Sequence, residues 1–291
     1  MAVVDAHIHA FSSERAGLIA QGGLPRAGFV GVVEEVDRIH GRGRIGQSIV
    51  MAAAPVELWR RAFRQRGGDE DEIEPRLWSL LVEQNEWVCQ AGDSHDGVVP
   101  AIGADATLPS QAMVAEIRER VARHRVRAVK IHPALNFVYP THPGYGPIYE
   151  TAQEAGLVVV SHGGAAAPGL YDSEIDYCEP ANFRQVLEQY PELKLVVAHL
   201  AFPYVDDLLA LAAAHANLYT DLSFVVFLEE MQPERLRDTI RSFGVERVLF
   251  GSDFPYFDPE DGLDRLAAAG LGDAELEMVS ESNARELYGL G

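Results

Sequence analysis

The sequence predicts a single-domain α/β protein, a (β/α)₈ barrel spanning residues 1–291. Three observations support this fold: short apolar runs recur eight times, amphipathic segments separate them, and polar side chains gather where the runs end. The runs are rich in valine, isoleucine and leucine on both parities, which is typical of strands buried on both faces of a parallel sheet. Eight such strands alternating with helices favour a closed barrel. An open doubly wound sheet is the alternative, but no GxGxxG follows the first strand.

Each element is predicted from a local pattern. The eight apolar runs occupy residues 2–9, 47–53, 97–105, 126–132, 157–162, 193–199, 216–223 and 246–253. Helical segments are predicted at 111–123, 147–154, 181–189, 205–214 and 234–243, with a final helix at 273–288. Gly156, Pro191 and Gly244 stand where helices should end, and Asp273 can cap the last helix.

One connection is much longer than a barrel needs. Residues 55–96 contain the three tryptophans of the chain among many charged side chains. This segment follows the second strand, so it belongs to the face where barrel enzymes build their active sites. We interpret it as a helical insertion that forms a lid. A helical hairpin packed on the barrel wall is the alternative.

Composition and charge limit the function classes. The chain is 47% hydrophobic and carries a formal net charge of −20, from 24 basic and 44 acidic side chains. Such a field repels nucleic acid and anionic lipid, and no apolar run reaches the roughly 20 residues of a membrane-spanning helix. Cys89 and Cys178 match no CxxC pattern and no secretion signal is evident, which favours a cytoplasmic protein with unpaired thiols. The expected partner is a small-molecule substrate, and a homodimer is expected by analogy with barrel enzymes in general.

Polar side chains end four of the predicted strands. His7 and His9 end the first strand, His162 the fifth, His199 the sixth and Asp253 the eighth. A single histidine at a strand end is more often a hydrogen-bonded core residue than a ligand. Because strand side chains alternate, however, His7 and His9 share one face, and imidazole and carboxylate are natural ligands of zinc and related divalent metals. The combination predicts a metal site at the barrel mouth.

These motifs resemble the amidohydrolase superfamily. The resemblance rests on VDAHIH at 4–9, on the later His162 and His199, and on FGSDFP at 250–255. It is greatest with the amidohydrolase-related branch, which includes lactonases and non-oxidative decarboxylases, and SNARELY at 282–288 is similar to the Asn-Ala-x-x-Leu segment that closes that branch. The resemblance covers nearly the whole chain and implies a distorted barrel with one or two divalent metals, zinc being favoured over manganese or another ion.

The resemblance also implies roles for individual residues. The main ion would have four ligands: His7, His9, His162 and Asp253. His199 would activate the bound water, polarise the substrate or ligate a second ion. In binuclear members a lysine on the fourth strand is carboxylated and bridges two metals. For Lys130 we favour a plain ammonium that binds a substrate carboxylate or an internal acid.

Further residues are candidates for contacts with the substrate, with packing as the alternative for His132 and loop capping as the alternative for Asp221. They are His132, Asn136, Tyr139, Asp221 and Tyr256. Asp5 has the parity of His7 but lies deeper in the first strand, which favours a structural hydrogen bond.

The expected chemistry is hydrolysis of a lactone, amide or ester. The metal would lower the pKa of its bound water towards about 7, and Asp253 would accept the water proton and deliver it to the leaving group. His199 and the metal would stabilise the oxyanion. One alternative is non-oxidative decarboxylation of an aromatic or unsaturated acid, held by Arg15, Arg26 or Arg44. The other is a non-catalytic binding protein with a structural metal.

Overall fold

A computed structural model describes residues 2–165 and 175–291, and its eight parallel strands form the predicted barrel. Each strand pairs with the next one in the chain, and each overlaps the apolar run that predicted it. The strands are β1 (Val3–Ile8), β2 (Ile45–Met51), β3 (Val98–Gly103), β4 (Ala128–Ile131), β5 (Val158–Ser161), β6 (Lys194–Val197), β7 (Leu218–Asp221) and β8 (Val248–Leu249).

The barrel closes between β8 and β1, which rules out the open sheet. The amide of Ala6 donates to the carbonyl of Phe250 over 2.9 Å, and the amide of Asp253 donates to the carbonyl of His7 over 2.9 Å. Gly251 permits this approach, because a Cβ atom there would lie 2.9 Å from the Cβ of His7. The first strand is therefore in direct contact with the segment that follows β8.

The described residues form twelve α-helices. They are α1 (Glu14–Ala20), α2 (Val33–His40), α3 (Val56–Gln65), α4 (Glu70–Ser94), α5 (Ser110–Arg123), α6 (Gly146–Glu154), α7 (Arg184–Gln189), α8 (Val205–Ala212), α9 (Pro233–Phe243), α10 (Pro259–Ala268), α11 (Asp273–Glu277) and α12 (Asn283–Tyr288). The sequence patterns do not predict α1, α2 and α10. The predicted helix at 273–288 comprises α11, a π-helical turn (Met278–Ser282) and α12.

The segment 55–96 is helical, and its longer helix lies against the barrel. The α4 side chains of Leu77, Leu81 and Val88 are fully buried in the hydrophobic core. Asn85 of α4 donates from Nδ2 to the carbonyl of Gly103 (3.0 Å) and accepts from its amide on Oδ1 (2.7 Å), which joins α4 to the end of β3. This arrangement fits a helical hairpin on the barrel wall. A lid role for the segment stays a prediction.

Apolar side chains fill the barrel interior away from the mouth. Buried residues such as Ala128, Val158 and Val160 form a small cluster there, and Leu287 and Tyr288 of α12 pack on it. The buried histidines, by contrast, lie towards the carboxyl ends of the strands. Cys89 and Cys178 are buried and unpaired. No helix within 2–165 and 175–291 is long and apolar enough to cross a membrane.

Candidate metal centre

Five imidazole rings form a continuous arc at the carboxyl ends of the strands. The ring centroids of His132 and His162 are 4.2 Å apart and the rings are nearly parallel, at 11°. His162 lies 5.0 Å from His199, His199 lies 4.9 Å from His7, and His7 lies 5.4 Å from His9. The structure thus brings together histidines that follow β4, β5 and β6 with the pair that ends β1.

Two groups of side chains, each made of two histidines of the arc and one aspartate, could hold a metal ion. One ligand atom each from His7, His9 and Asp253 lies within 4.8 Å of the others. Within this group, Asp253 Oδ1 is 3.9 Å from His7 Nε2 and 3.7 Å from His9 Nε2. His7, His199 and Asp221 form the second group. His162, the fourth predicted ligand, belongs to neither group among the described residues, although its ring adjoins that of His199.

Hydrogen bonds turn His7 and His9 so that both present a lone pair to Asp253. Nδ1 of His7 lies 2.7 Å from Asp221 Oδ2, and Nδ1 of His9 lies 3.2 Å from the carbonyl of Met51. Both partners only accept, so each Nδ1 carries the proton and each Nε2 keeps its lone pair, which in His7 also faces the Lys130 ammonium at 3.3 Å. Burial, assisted by the Lys130 ammonium, lowers the pKa of each ring to about 3, which keeps both neutral. Neutral imidazole is the form that binds a divalent metal, so this donor set fits one.

His199 and His162 use opposite ring nitrogens. Nδ1 of His199 donates to the carbonyl of Ser223 (3.1 Å), which leaves the lone pair on Nε2. Nε2 of His162 donates to the carbonyl of Ala165 (3.3 Å), which leaves the lone pair on Nδ1. His199 also begins a run of three residues with positive φ, at 63°, 48° and 47°. Left-handed backbone costs an L residue roughly 1–2 kcal/mol, and such strain is concentrated at functional sites.

Asp221 is saturated with hydrogen bonds. Besides the His7 ring, it accepts from the amides of His199 (3.0 Å) and Ser223 (3.2 Å) and from the Ser223 hydroxyl. Burial alone would raise the pKa of Asp221, but the His7 imidazole and these hydrogen bonds lower it well below its usual value. Asp221 therefore remains ionised and orients the His7 ring. This role is more specific than the substrate contact that the sequence predicts.

Asp253 has free lone pairs. No described residue donates a hydrogen bond to its carboxylate, and its side chain is 16% exposed. Burial raises the pKa of Asp253 to about 7. Its backbone has a φ of 62°, and its amide donates a hydrogen bond to the His7 carbonyl. Both features fix the backbone where β1 meets the segment after β8. Asp5, by contrast, accepts from the amide of Ser252 (2.9 Å), which fits the structural role expected of it.

Lys130 and Tyr256 border the arc. Nζ of Lys130 lies 3.3 Å from His7 Nε2, and this buried ammonium forms no ion pair with a carboxylate of the described residues. Burial lowers the pKa of Lys130 to about 8. The ring of Tyr256 meets the ring of His9 edge-on at 6.3 Å. The guanidinium of Arg26 lies 5.8 Å from the Tyr256 ring centroid, a placement that the sequence does not reveal.

Two predicted substrate contacts lie outside the arc. The amide of Asn136 is occupied by the backbone, because Nδ2 donates to the carbonyl of Ala54 (3.0 Å) and Oδ1 accepts from the amide of Glu57 (3.2 Å). It thereby joins the loops that follow β2 and β4. Tyr139 is 45% exposed, and its ring lies 5.1 Å from that of Tyr177. Neither side chain touches the candidate ligands.

Comparison with known proteins identifies the family. A family model described as amidohydrolase matches residues 4–290. The chain belongs to the amidohydrolase family. Among curated proteins, protein fluG of Emericella nidulans is 30% identical over 93 residues, which are 31% of this chain but only 11% of fluG. The chain thus matches a small part of that protein.

Solved structures share the fold over the whole chain. The 5-carboxyvanillate decarboxylase LigW from Sphingomonas paucimobilis is 16% identical with a TM-score of 0.70, covering 100% of this chain and 99% of its own. An uncharacterised TIM-barrel protein from Bordetella bronchiseptica is 17% identical with a TM-score of 0.74, at the same coverage. A dihydroxybenzoic acid decarboxylase from Polaromonas sp. JS666, with bound manganese, is 15% identical with a TM-score of 0.65, covering 99% and 97%.

Proposed function

We propose that the protein is a metal-dependent hydrolase of a small carbonyl substrate, a lactone, amide or ester. The observation that carries this proposal is the hydrogen bonding of three aspartates. Asp5 and Asp221 accept from backbone amides, whereas the Asp253 carboxylate receives no hydrogen bond from a described residue. Asp253 is also the one that lies beside the Nε2 atoms of His7 and His9. It is therefore the carboxylate free to accept a proton in this site.

The residues that would hold a divalent metal are His7, His9 and Asp253, with His162 through Nδ1. Imidazole and carboxylate donors favour zinc, while the manganese in the Polaromonas enzyme makes manganese the second choice. When bound, the metal supplies Lewis acidity to the carbonyl oxygen and to water.

The remaining steps fall to side chains of this chain. Asp253 takes the proton of the attacking water and returns it to the leaving group. In this proposal His199 does not supply the oxyanion contact, because Nδ1 of its neutral ring donates to Ser223 and Nε2 then has no proton to offer. The Lys130 ammonium has protons to donate and lies in the same arc, 3.3 Å from His7 Nε2. We assign the oxyanion contact to Lys130, and metal binding or water orientation to His199.

The experiment that tests this proposal compares Asp253→Asn with wild-type protein. Both are loaded with zinc or manganese and assayed against a panel of lactones, esters and amides. We expect kcat to fall by about 10²–10⁴-fold, the range for loss of a general acid–base group. Asp258→Asn is the matched control, because Asp258 caps α10 with Oδ1 on the Glu260 amide and an asparagine oxygen retains that bond. Near-normal turnover by Asp253→Asn would refute the role.

Non-oxidative decarboxylation of an aromatic or unsaturated acid is the second candidate. It is favoured by decarboxylases of the same fold, such as those from Sphingomonas paucimobilis and Polaromonas, and by Arg26, which lies beside the Tyr256 ring that in turn meets His9. Carbon dioxide release from hydroxylated benzoates, without hydrolysis of the lactone panel, would establish it in place of hydrolysis. A protein that retains its metal but turns over neither panel would favour the non-catalytic binding protein.

A further inference from the structure

His132 is the end member of the imidazole arc and is bonded differently from the other four rings. It follows β4, and its ring stacks on that of His162 at 4.2 Å. Its Nδ1 accepts a hydrogen bond from the backbone amide of Leu135 over 3.2 Å. The same side chain therefore caps the turn that leads into the β4 loop.

This bond determines where the ring carries its proton. A backbone amide only donates, so Nδ1 of His132 must use its lone pair, and the proton resides on Nε2. His7, His9 and His199 donate from Nδ1 to acceptors, and each retains a lone pair on Nε2. His162 retains a lone pair on Nδ1. Four rings of the arc can thus ligate a metal, whereas His132 offers only an N–H group.

The N–H group of His132 is available at the mouth. The ring is partly buried, and no described residue accepts a hydrogen bond from its Nε2. In an eight-stranded barrel β4 lies across the axis from β8, which leads to Asp253. Lys130, two residues earlier on β4, presents a second donor. One side of the site therefore donates hydrogen bonds, and the opposite side holds the free carboxylate.

We propose that His132 is a substrate-positioning residue whose Nε2–H donates to an acceptor oxygen of the bound substrate, a carbonyl or carboxylate oxygen. The substrate then lies with its oxygen atoms towards β4 and its leaving group towards Asp253. That the acceptor belongs to a substrate rests on the proposed function. The donor role itself does not depend on which reaction follows.

Two variants separate this role from simple capping of the loop. In His132→Asn, the amide oxygen can replace Nδ1 as acceptor for the Leu135 amide, but the donor at the Nε2 position is lost. In His132→Gln, the amide nitrogen reaches the Nε2 position and retains a donor, but the cap is lost. A positioning role predicts that Gln functions and Asn does not, and a capping role predicts the reverse. His142→Asn is the matched control, because His142 caps the Gly144 amide through Nδ1 in the same loop.

The readouts are binding of acetate and benzoate to zinc-loaded protein by calorimetry, zinc content by elemental analysis, and the nitrogen-15 spectrum of the histidines. We expect His132→Asn to weaken benzoate binding about tenfold, and His132→Gln and His142→Asn to stay within about twofold. Zinc content should be unchanged in all three. The His132 resonances should show the proton on Nε2.

Four results would overturn the proposal: benzoate binding that survives in His132→Asn, equal losses in His132→Asn and His132→Gln, loss of zinc from either variant, or wild-type protein that binds neither anion. Failure of the proposed function looks different. In that case no lactone, ester or amide is turned over, while the order of benzoate affinities among the variants is retained.

Discussion

Replacing Asp221 by asparagine tests how the His7 ring is held. In wild-type protein, Oδ1 accepts from the amides of His199 and Ser223, and Oδ2 accepts from His7 Nδ1 at 2.7 Å. The asparagine oxygen can keep the two backbone contacts. Its amide nitrogen then faces the N–H group of His7, so two donors oppose each other. The ring must turn or move its proton to Nε2, and either change removes the lone pair that faces Asp253.

The magnitude follows from this single lost contact. Loss of a carboxylate that orients a metal-binding histidine lowers metal affinity about 10–100-fold, or about 1.4–2.7 kcal/mol. We expect zinc affinity to fall by that amount in Asp221→Asn, measured by competition with a chromophoric chelator. Elemental analysis of the protein as purified should show less than full occupancy.

Asp5→Asn is the matched control for this experiment. Asp5 is equally buried, and its Oδ1 accepts from the amides of Ser252 (2.9 Å) and His7 (3.4 Å), while its Oδ2 has no hydrogen-bond partner among the described residues. The same chemical change there should leave zinc affinity within about twofold of wild type. Wild-type affinity in Asp221→Asn would show that Asp221 does not orient His7, and equal losses in both variants would point to general damage to the barrel.

Three further variants test the metal ligands of β1, the contact between β1 and Gly251, and the contact between α4 and β3. The double variant His7→Ala/His9→Ala should lose bound divalent metal while keeping its far-ultraviolet circular dichroism, and metal retention measured by elemental analysis would contradict the assigned site. Gly251→Ala should reduce the free energy of unfolding by about 1–3 kcal/mol, because its Cβ would lie 2.9 Å from the Cβ of His7; an unchanged urea midpoint would exclude that crowding. Asn85→Ala should cost about 1–3 kcal/mol in the same assay by leaving the buried amide of Gly103 without its partner, and a wild-type midpoint would show that α4 is held by other contacts.

The strands could be predicted from the sequence because parallel strands buried on both faces form continuous apolar runs. The run at 157–162, for example, contains β5. The tail shows the limit of local patterns. Its single predicted helix contains a π-helical turn, and within that turn the carbonyl of Val279 accepts a hydrogen bond from the amide of Phe250 (2.8 Å). A tertiary contact competes there with the bonding of the helix, and no local pattern reveals it.

Residue types and strand ends predict which side chains gather at the candidate site. They do not predict which ring nitrogen of each histidine carries the proton. The alternation of side chains places His7 and His9 together, and barrel topology adds the histidines of other strands. Which nitrogen each ring presents depends on acceptors such as the carbonyls of Met51 and Ala165. Every residue has a carbonyl, so these partners have no sequence signal. The distinct role of His132 therefore emerges only from the folded chain.

The contact between β1 and β8 has a consequence for the order in which the protein is made. His7 and His9 are synthesised among the first residues of the barrel, whereas Asp253 follows all eight strands. A chain still attached to the ribosome holds His7 and His9 long before Asp253 exists. If these residues hold a divalent ion as proposed, its high-affinity capture must await the contact between β1 and the segment after β8, and a finished barrel would then acquire the ion.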